Sequence, residues 1–122
     1  MRFVPTRVHG VVDYIVGVIL IVAPFVLGFA DGSAAQWVPI ALGIAAILYS
    51  LVTDYEWGLV RLLPMPGHLA LDAASGVLMA ASPWLFGFAD RVYLPHVIFG
   101  VFEILASLAT QAHPGRAELR AA

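Results

Sequence analysis

Four apolar runs follow one another along the chain, near residues 8–29, 36–53, 67–88 and 93–111. Turn formers separate them: Asp31, Gly32 and Ser33, then Asp54 to Gly67 with Pro64 and Pro66, then Asp90 and Arg91. Each run is about as long as the ~20 residues a helix needs to cross a bilayer. None alternates in polarity as a barrel strand would. Backbone inside a bilayer must satisfy its own hydrogen bonds, so the pattern predicts four transmembrane helices. The first run, behind Arg2 and Arg7, has the outline of a signal peptide. It is longer than the usual ~7–15-residue apolar region of such signals, and it carries His9 and Asp13. We read it as a retained helix, because a near copy recurs inside the chain.

That copy is an internal repeat. HGVVDYIVGVILIVAPFVLGFAD (9–31) aligns with HLALDAASGVLMAASPWLFGFAD (68–90). His9 meets His68, Asp13 meets Asp72, Gly17 meets Gly76 and Pro24 meets Pro83. In the following runs Gly43 meets Gly100, Ile47 meets Ile104, Ser50 meets Ser107 and Thr53 meets Thr110. Each unit holds two helices, so both copies enter the membrane in the same direction, related by a pseudo-two-fold axis along the membrane normal. The expected fold is all-α: a four-helix transmembrane bundle made of two tandem parallel-repeat helical hairpins. It forms one membrane domain over 1–122, with repeat one about 8–53, a cytoplasmic loop 54–66, repeat two about 67–111 and a C-terminal tail 112–122.

Composition agrees with this pattern. Of 122 residues, 61% are hydrophobic and 11% charged, against about 45–50% apolar and about 25% charged in soluble domains. A net charge of −2 gives no basis for nucleic-acid binding. The absence of cysteine removes disulfides and thiolate metal chemistry. Arg2, Arg7, Arg61, Arg116 and Arg120 fall on one side of the bundle and only Arg91 on the other. The positive-inside rule then places both termini in the cytoplasm of a multi-pass protein of the cell's inner (plasma) membrane. Trp37, Trp84 and Tyr93 fall toward the outer interface, and Tyr14, Tyr55 and Trp57 toward the inner one.

Ser82-Pro83-Trp84, followed by LFGF and preceded by His68 and Asp72, resembles the SPW repeat. The resemblance covers nearly the whole chain, with Ala23-Pro24-Phe25 at the first copy of the motif. It implies a small prokaryotic membrane protein built from two-helix units, with the motif in the first helix of each pair, and it implies no particular activity. Pro24 and Pro83 should kink their helices. Ser82 is placed to re-satisfy a carbonyl the proline leaves free, and Trp84 to anchor at the headgroups.

Residues four apart share a helix face, so His9, Asp13 and Gly17 form one stripe and His68, Asp72 and Gly76 its twin. Ionisable groups are costly against lipid, which turns both stripes inward. The first and third helices should cross near Gly17 and Gly76, with the His–Asp pairs facing each other and the imidazoles within reach of water. Gly43 and Gly100 are further positions for close helix packing. Glu103 stands near mid-membrane on the last helix, where its repeat equivalent is Ala46. Its helix face carries His96, Gly100, Ser107 and Gln111. It is either a neutral acid bonded to a helix carbonyl or to Ser75, or part of a cytoplasmic half-channel.

Three readings meet at the cluster of His9, Asp13, His68, Asp72 and Glu103: hydrogen bonds joining the repeats, a proton relay, or a metal. The absence of a helical HxxE or ExxH signature leaves no residue assigned as a metal ligand and no cofactor assigned. No catalytic constellation is visible either, so an enzyme is not expected. The leading reading is a structural or accessory membrane component, embedded in the lipid bilayer and assembling with itself or with a larger membrane complex. The alternatives are a proton or small-solute conduit, and a metal- or haem-binding membrane protein. The loop from Asp54 to Gly67, with Tyr55, Trp57 and Leu63, and the tail after His113 are the expected contacts for a partner outside the membrane.

Overall fold

The computed structural model describes residues 2–113; Arg116, Arg120 and most of the tail lie outside the described residues. Four α-helices follow in order: α1 (Thr6–Val26), α2 (Ala34–Leu51), α3 (Met65–Leu85) and α4 (Leu94–Ala109). The described residues contain no strand, only two isolated bridges, Val4 with Thr110 and Thr53 with Leu63. The chain is an all-α helical bundle.

The repeat is written into the helix ends. Pro5 and Pro64, equivalent positions, each stand in extended conformation just before a helix, where a missing N–H costs nothing. At the other ends, Gly28 and Gly87 take φ values of 80° and 74°. Each lets the next amide turn back: Phe29 N donates to Pro24 O at 2.9 Å and Phe88 N to Pro83 O at 2.8 Å. This closes a Schellman-type turn that only glycine enters without strain.

Three prolines lie inside helices, Pro24, Pro39 and Pro83, and at two of them a side chain replaces the donor that the freed carbonyl lost. Pro83 frees the carbonyl of Met79, and the Ser82 hydroxyl donates to it at 2.7 Å. Pro39 frees the carbonyl of Ala35, and His96 Nε2 donates to it from α4 at 2.8 Å. His96 is wholly buried, packed between the rings of Phe29 and Phe88. This packed end carries the ion pair of Arg91 with Asp31. The hydroxyl and amide of Ser33, then Arg91, hold the Asp31 carboxyl below its ordinary range.

Helix packing is closest within each hairpin, α1 on α2 and α3 on α4. A Cβ on Gly43 would lie 2.6 Å from Gly17 O, and one on Gly100 would lie 2.5 Å from Gly76 O. This corrects one expectation: Gly17 and Gly76 face the second helix of their own hairpin, and not each other. The close backbone approach that small residues permit is used inside the unit. Between hairpins, α2 packs on α3, whereas α1 and α4 leave a cleft of about 310 Å³ lined mainly by Val4, Val8, Val12, Phe102, Leu105 and Ala109.

The loop after α2 folds back over the bundle. Tyr55 is fully buried in a cluster with Met65 and Leu69, because its hydroxyl finds an internal partner. Trp57 lies along α1, donating from Nε1 to Arg7 O at 2.8 Å, while Tyr14 donates to Trp57 O at 2.7 Å. Tyr55, expected as a contact outside the membrane, is therefore turned inward, whereas Leu59 and Leu62 of the same loop are 80% and 75% exposed.

α1 and α2 are long and apolar enough to cross a membrane. α3 has the length, but His68, Asp72, Ser75 and Ser82 dilute it. α4 is apolar with 16 residues, about 24 Å at 1.5 Å per residue, somewhat short of the ~30 Å hydrocarbon layer.

A candidate His–Asp site between the hairpins

At the end of the bundle opposite the Asp31–Arg91 pair, α1 and α3 bring His9, Asp13, His68 and Asp72 together. One donor atom from each lies within 4.8 Å of all the others. The contacts form a closed ring. His9 Nε2 stands 3.0 Å from Asp13 Oδ1 and 2.8 Å from Asp72 Oδ2. His68 Nε2 stands 3.0 Å from Asp13 Oδ2 and 3.2 Å from Asp72 Oδ2. Each imidazole thus touches one carboxylate of its own helix, four residues on, and one from the other hairpin.

The ring is dry, which reverses the expectation that water reaches the imidazoles. The His68 and His9 side chains are 0% and 3% exposed, and the carboxylates 9% or less. Part of the cover is the folded-back loop, whose Tyr55 ring lies 5.2 Å from that of His68.

A further layer of side chains orients the four. Tyr55 donates to Asp13 Oδ2 at 2.9 Å, and Tyr49 makes a short hydrogen bond to Asp72 Oδ1. Burial, then the adjacent Asp13 charge, push the Tyr55 hydroxyl well above its ordinary value, so it remains a donor. The imidazole Nδ1 atoms are held by threonines in crossed fashion. His9 Nδ1 meets Thr110 Oγ1 at 2.7 Å, and His68 Nδ1 meets Thr53 Oγ1 at 2.8 Å. Each hairpin ends on the threonine that holds the other hairpin's histidine. Thr53, Thr110, Tyr49 and Tyr55 had no place in the sequence-derived cluster. The pairing of Thr53 with Thr110 in the repeat was the available signal.

Glu103 stands apart from the ring but lines the same cavity of about 20 Å³, together with His9, Asp13, Tyr49 and Asp72. Ser75, one of its two expected partners, is its polar neighbour, although the buried Ser75 hydroxyl forms no aligned hydrogen bond. The groups expected to extend a half-channel are engaged locally: Ser107 donates to Ile104 O at 2.7 Å, and His96 is held at Ala35 O. The two imidazoles stand edge to face with centroids 5.5 Å apart and carboxylates between their Nε2 atoms, an arrangement with no slot for a porphyrin.

Residues 7–110 match the sequence profile of the SPW repeat domain. No curated protein and no solved structure matches the chain.

Proposed function

The chain belongs to the SPW repeat family, and from that premise we propose that it is a multi-pass protein of the inner membrane, both termini cytoplasmic, acting as a structural or accessory component that assembles with a second copy of itself. Family membership and the two long apolar helices point to a membrane protein. Arg2, Arg7 and Arg61 on the ring side of the bundle, with Arg91 on the other, support the orientation.

The observation that carries the assembly reading is an inequality. Pseudo-symmetry pairs the α2–α3 seam with the α4–α1 seam, yet the first is closed by helix packing and the second is an apolar cleft of about 310 Å³. A helix of a second copy seated there would complete the packing that the chain leaves open on one side. The small cavity between Glu103 and the ring, about 20 Å³, has space for a single water, not a file of them. That favours a static role for the cluster over conduction.

The test exploits the absence of cysteine. Single cysteines at Val8, Val12 or Leu105, oxidised in native membranes, should give crosslinked dimers, whereas cysteines at Val77 or Leu78 on α3 should not. Absence of seam crosslinks, with a monomeric mass in mild detergent, would overturn the assembly reading.

A further inference from the structure

We propose that His9, Asp13, His68 and Asp72 form a binding site for one divalent cation of the first transition row, zinc being the best fit. The argument starts from proton counting at the threonines. Thr53 Oγ1 lies 2.6 Å from Tyr49 O, and Thr110 Oγ1 lies 2.6 Å from Ala106 O. A carbonyl only accepts, so each hydroxyl proton points at its carbonyl. Each threonine oxygen must then accept from the imidazole beside it, which fixes Nδ1 of both His9 and His68 as N–H.

That assignment leaves Nε2 of each imidazole to face carboxylate oxygens, themselves acceptors. In the neutral imidazole Nε2 is then a bare lone pair, so the contact is favourable only when Nε2 carries a second proton, as the aligned 2.8 Å contact of His9 Nε2 with Asp72 Oδ2 allows, or when a metal cation stands between the groups. His68 shows the mismatch directly. Its Nε2, fully buried, approaches both carboxylates yet forms no aligned hydrogen bond with either.

Two charge states balance the site. Two imidazolium ions neutralise the two carboxylates, or two neutral imidazoles and two carboxylates neutralise a divalent ion. Both give a net charge of zero inside an apolar bundle. The off-axis Nε2 of His68 favours the second, and so does the outer layer. Ligating histidines characteristically donate Nδ1–H to a fixed acceptor, and ligating carboxylates are held by further donors. Thr53 and Thr110 fill the first role here, and Tyr49 and Tyr55 the second.

Ligand type and spacing narrow the ion. Two nitrogens and two oxygens without thiolate suit zinc and its neighbours; calcium and magnesium prefer all-oxygen shells, and copper(I) prefers sulfur. A tetrahedral site with bonds of ~2.0–2.1 Å sets neighbouring ligand atoms about 3.3 Å apart. The four N···O separations here run from 2.8 to 3.2 Å, with Asp13 turning a different oxygen to each imidazole, and one ligand atom from each of the four residues lies within 4.8 Å of all the others, close enough for side-chain movement to bring all four onto one ion.

The test uses the full chain in detergent, stripped with a chelator and titrated first with Co²⁺ and then with Zn²⁺. One Co²⁺ per chain should bind with the strong visible absorption of a tetrahedral site, and Zn²⁺ should displace it. Asp13→Asn with Asp72→Asn should abolish the band. Thr53→Val and Thr110→Val should each weaken binding about 10–100-fold, the range for outer-layer partners of metal ligands, with Thr→Ser restoring it. Far-UV circular dichroism and gel filtration establish that each variant is folded. A folded parent chain that takes up neither ion would overturn the site. So would a double Asn variant that binds as the parent does, or threonine variants of unchanged affinity.

Discussion

Thr53 and His68 belong to different hairpins, and their side chains meet at 2.8 Å in the dry interior of the bundle. Thr110 and His9 repeat the relationship at 2.7 Å in the opposite sense. The hairpins are therefore interlocked by a pair of equivalent bonds and not merely apposed. Thr53→Val should leave the Nδ1–H of a fully buried imidazole without an acceptor, at a cost of about 1–3 kcal/mol. Thr110→Val should cost a similar amount. Thermal unfolding in detergent checks this; a Val variant as stable as the parent would show that the threonine carries no interlocking role.

Glycine substitutions should separate backbone contacts from side-chain contacts. A Cβ on Gly43 or Gly100 runs into carbonyl oxygens at 2.6 and 2.5 Å, with Ala80 N also 2.5 Å from the latter. On Gly17 the nearest atom is Ile47 Cγ1, with Gly43 O at 3.2 Å. Overpacking costs typically about 1–3 kcal/mol, and Gly43→Ala and Gly100→Ala should fall at the upper end. Gly17→Ala should fall below them, since Ile47 can change rotamer. Equal losses at Gly17 and Gly43 would contradict the packing described.

Ser82→Ala should cost about 0.5–1.5 kcal/mol, because the Met79 carbonyl would lose the donor that replaces the amide missing at Pro83. Ser82→Thr keeps the hydroxyl and should retain more stability than Ala. Denaturation of both variants against the parent decides whether the serine of the motif works through that carbonyl.

Glu103→Gln keeps shape and hydrogen bonding while removing titration. In a static bundle it should change stability by no more than about 1 kcal/mol, the scale of one hydrogen bond, and leave crosslinking through the α1–α4 seam intact. Proton flux into liposomes should be the same for parent and variant. Flux that is present in the parent and absent in a folded Gln variant would return Glu103 to a conducting role.

A reporter fused after Ala122 should register the cytoplasm, as should one fused before Met1. A periplasmic signal at either end would reverse the arginine argument. Arg2 also has a structural task, donating to Ser107 O at 2.9 Å and Thr110 O at 2.7 Å, so Arg61 is the better residue for testing charge alone.

The helices were legible because the apolar runs are long and the turns between them polar, and the offset of 59 between His9 and His68 made the twin stripes visible in advance. What stayed hidden depends on rotation about helix axes. Gly17 lies on the stripe of His9 and Asp13 when positions are counted four at a time, but each such step is 1.1 turns of a 3.6-residue helix. The stripe drifts, and by Gly17 it has turned toward α2. Tyr55 read as an interfacial aromatic, because nothing local announced that its hydroxyl would find Asp13 across 42 positions. Thr53 and Thr110 were matched by the repeat but sit at helix ends, where threonine is unremarkable until the opposing imidazole is placed.

The crossed threonines bear on how the two halves recognise each other as well as on stability. A lone hairpin of this kind would own a histidine, an aspartate and a threonine, yet its threonine would point away from its own histidine toward a neighbour's. It could close the ring only by meeting an identical hairpin side by side, in the same orientation. The present chain therefore has the form of a pair of equivalent hairpins joined end to end. Cut between Leu59 and Leu62, the two fragments should still find each other when co-expressed, because what unites them lies in the side chains and not in the linker.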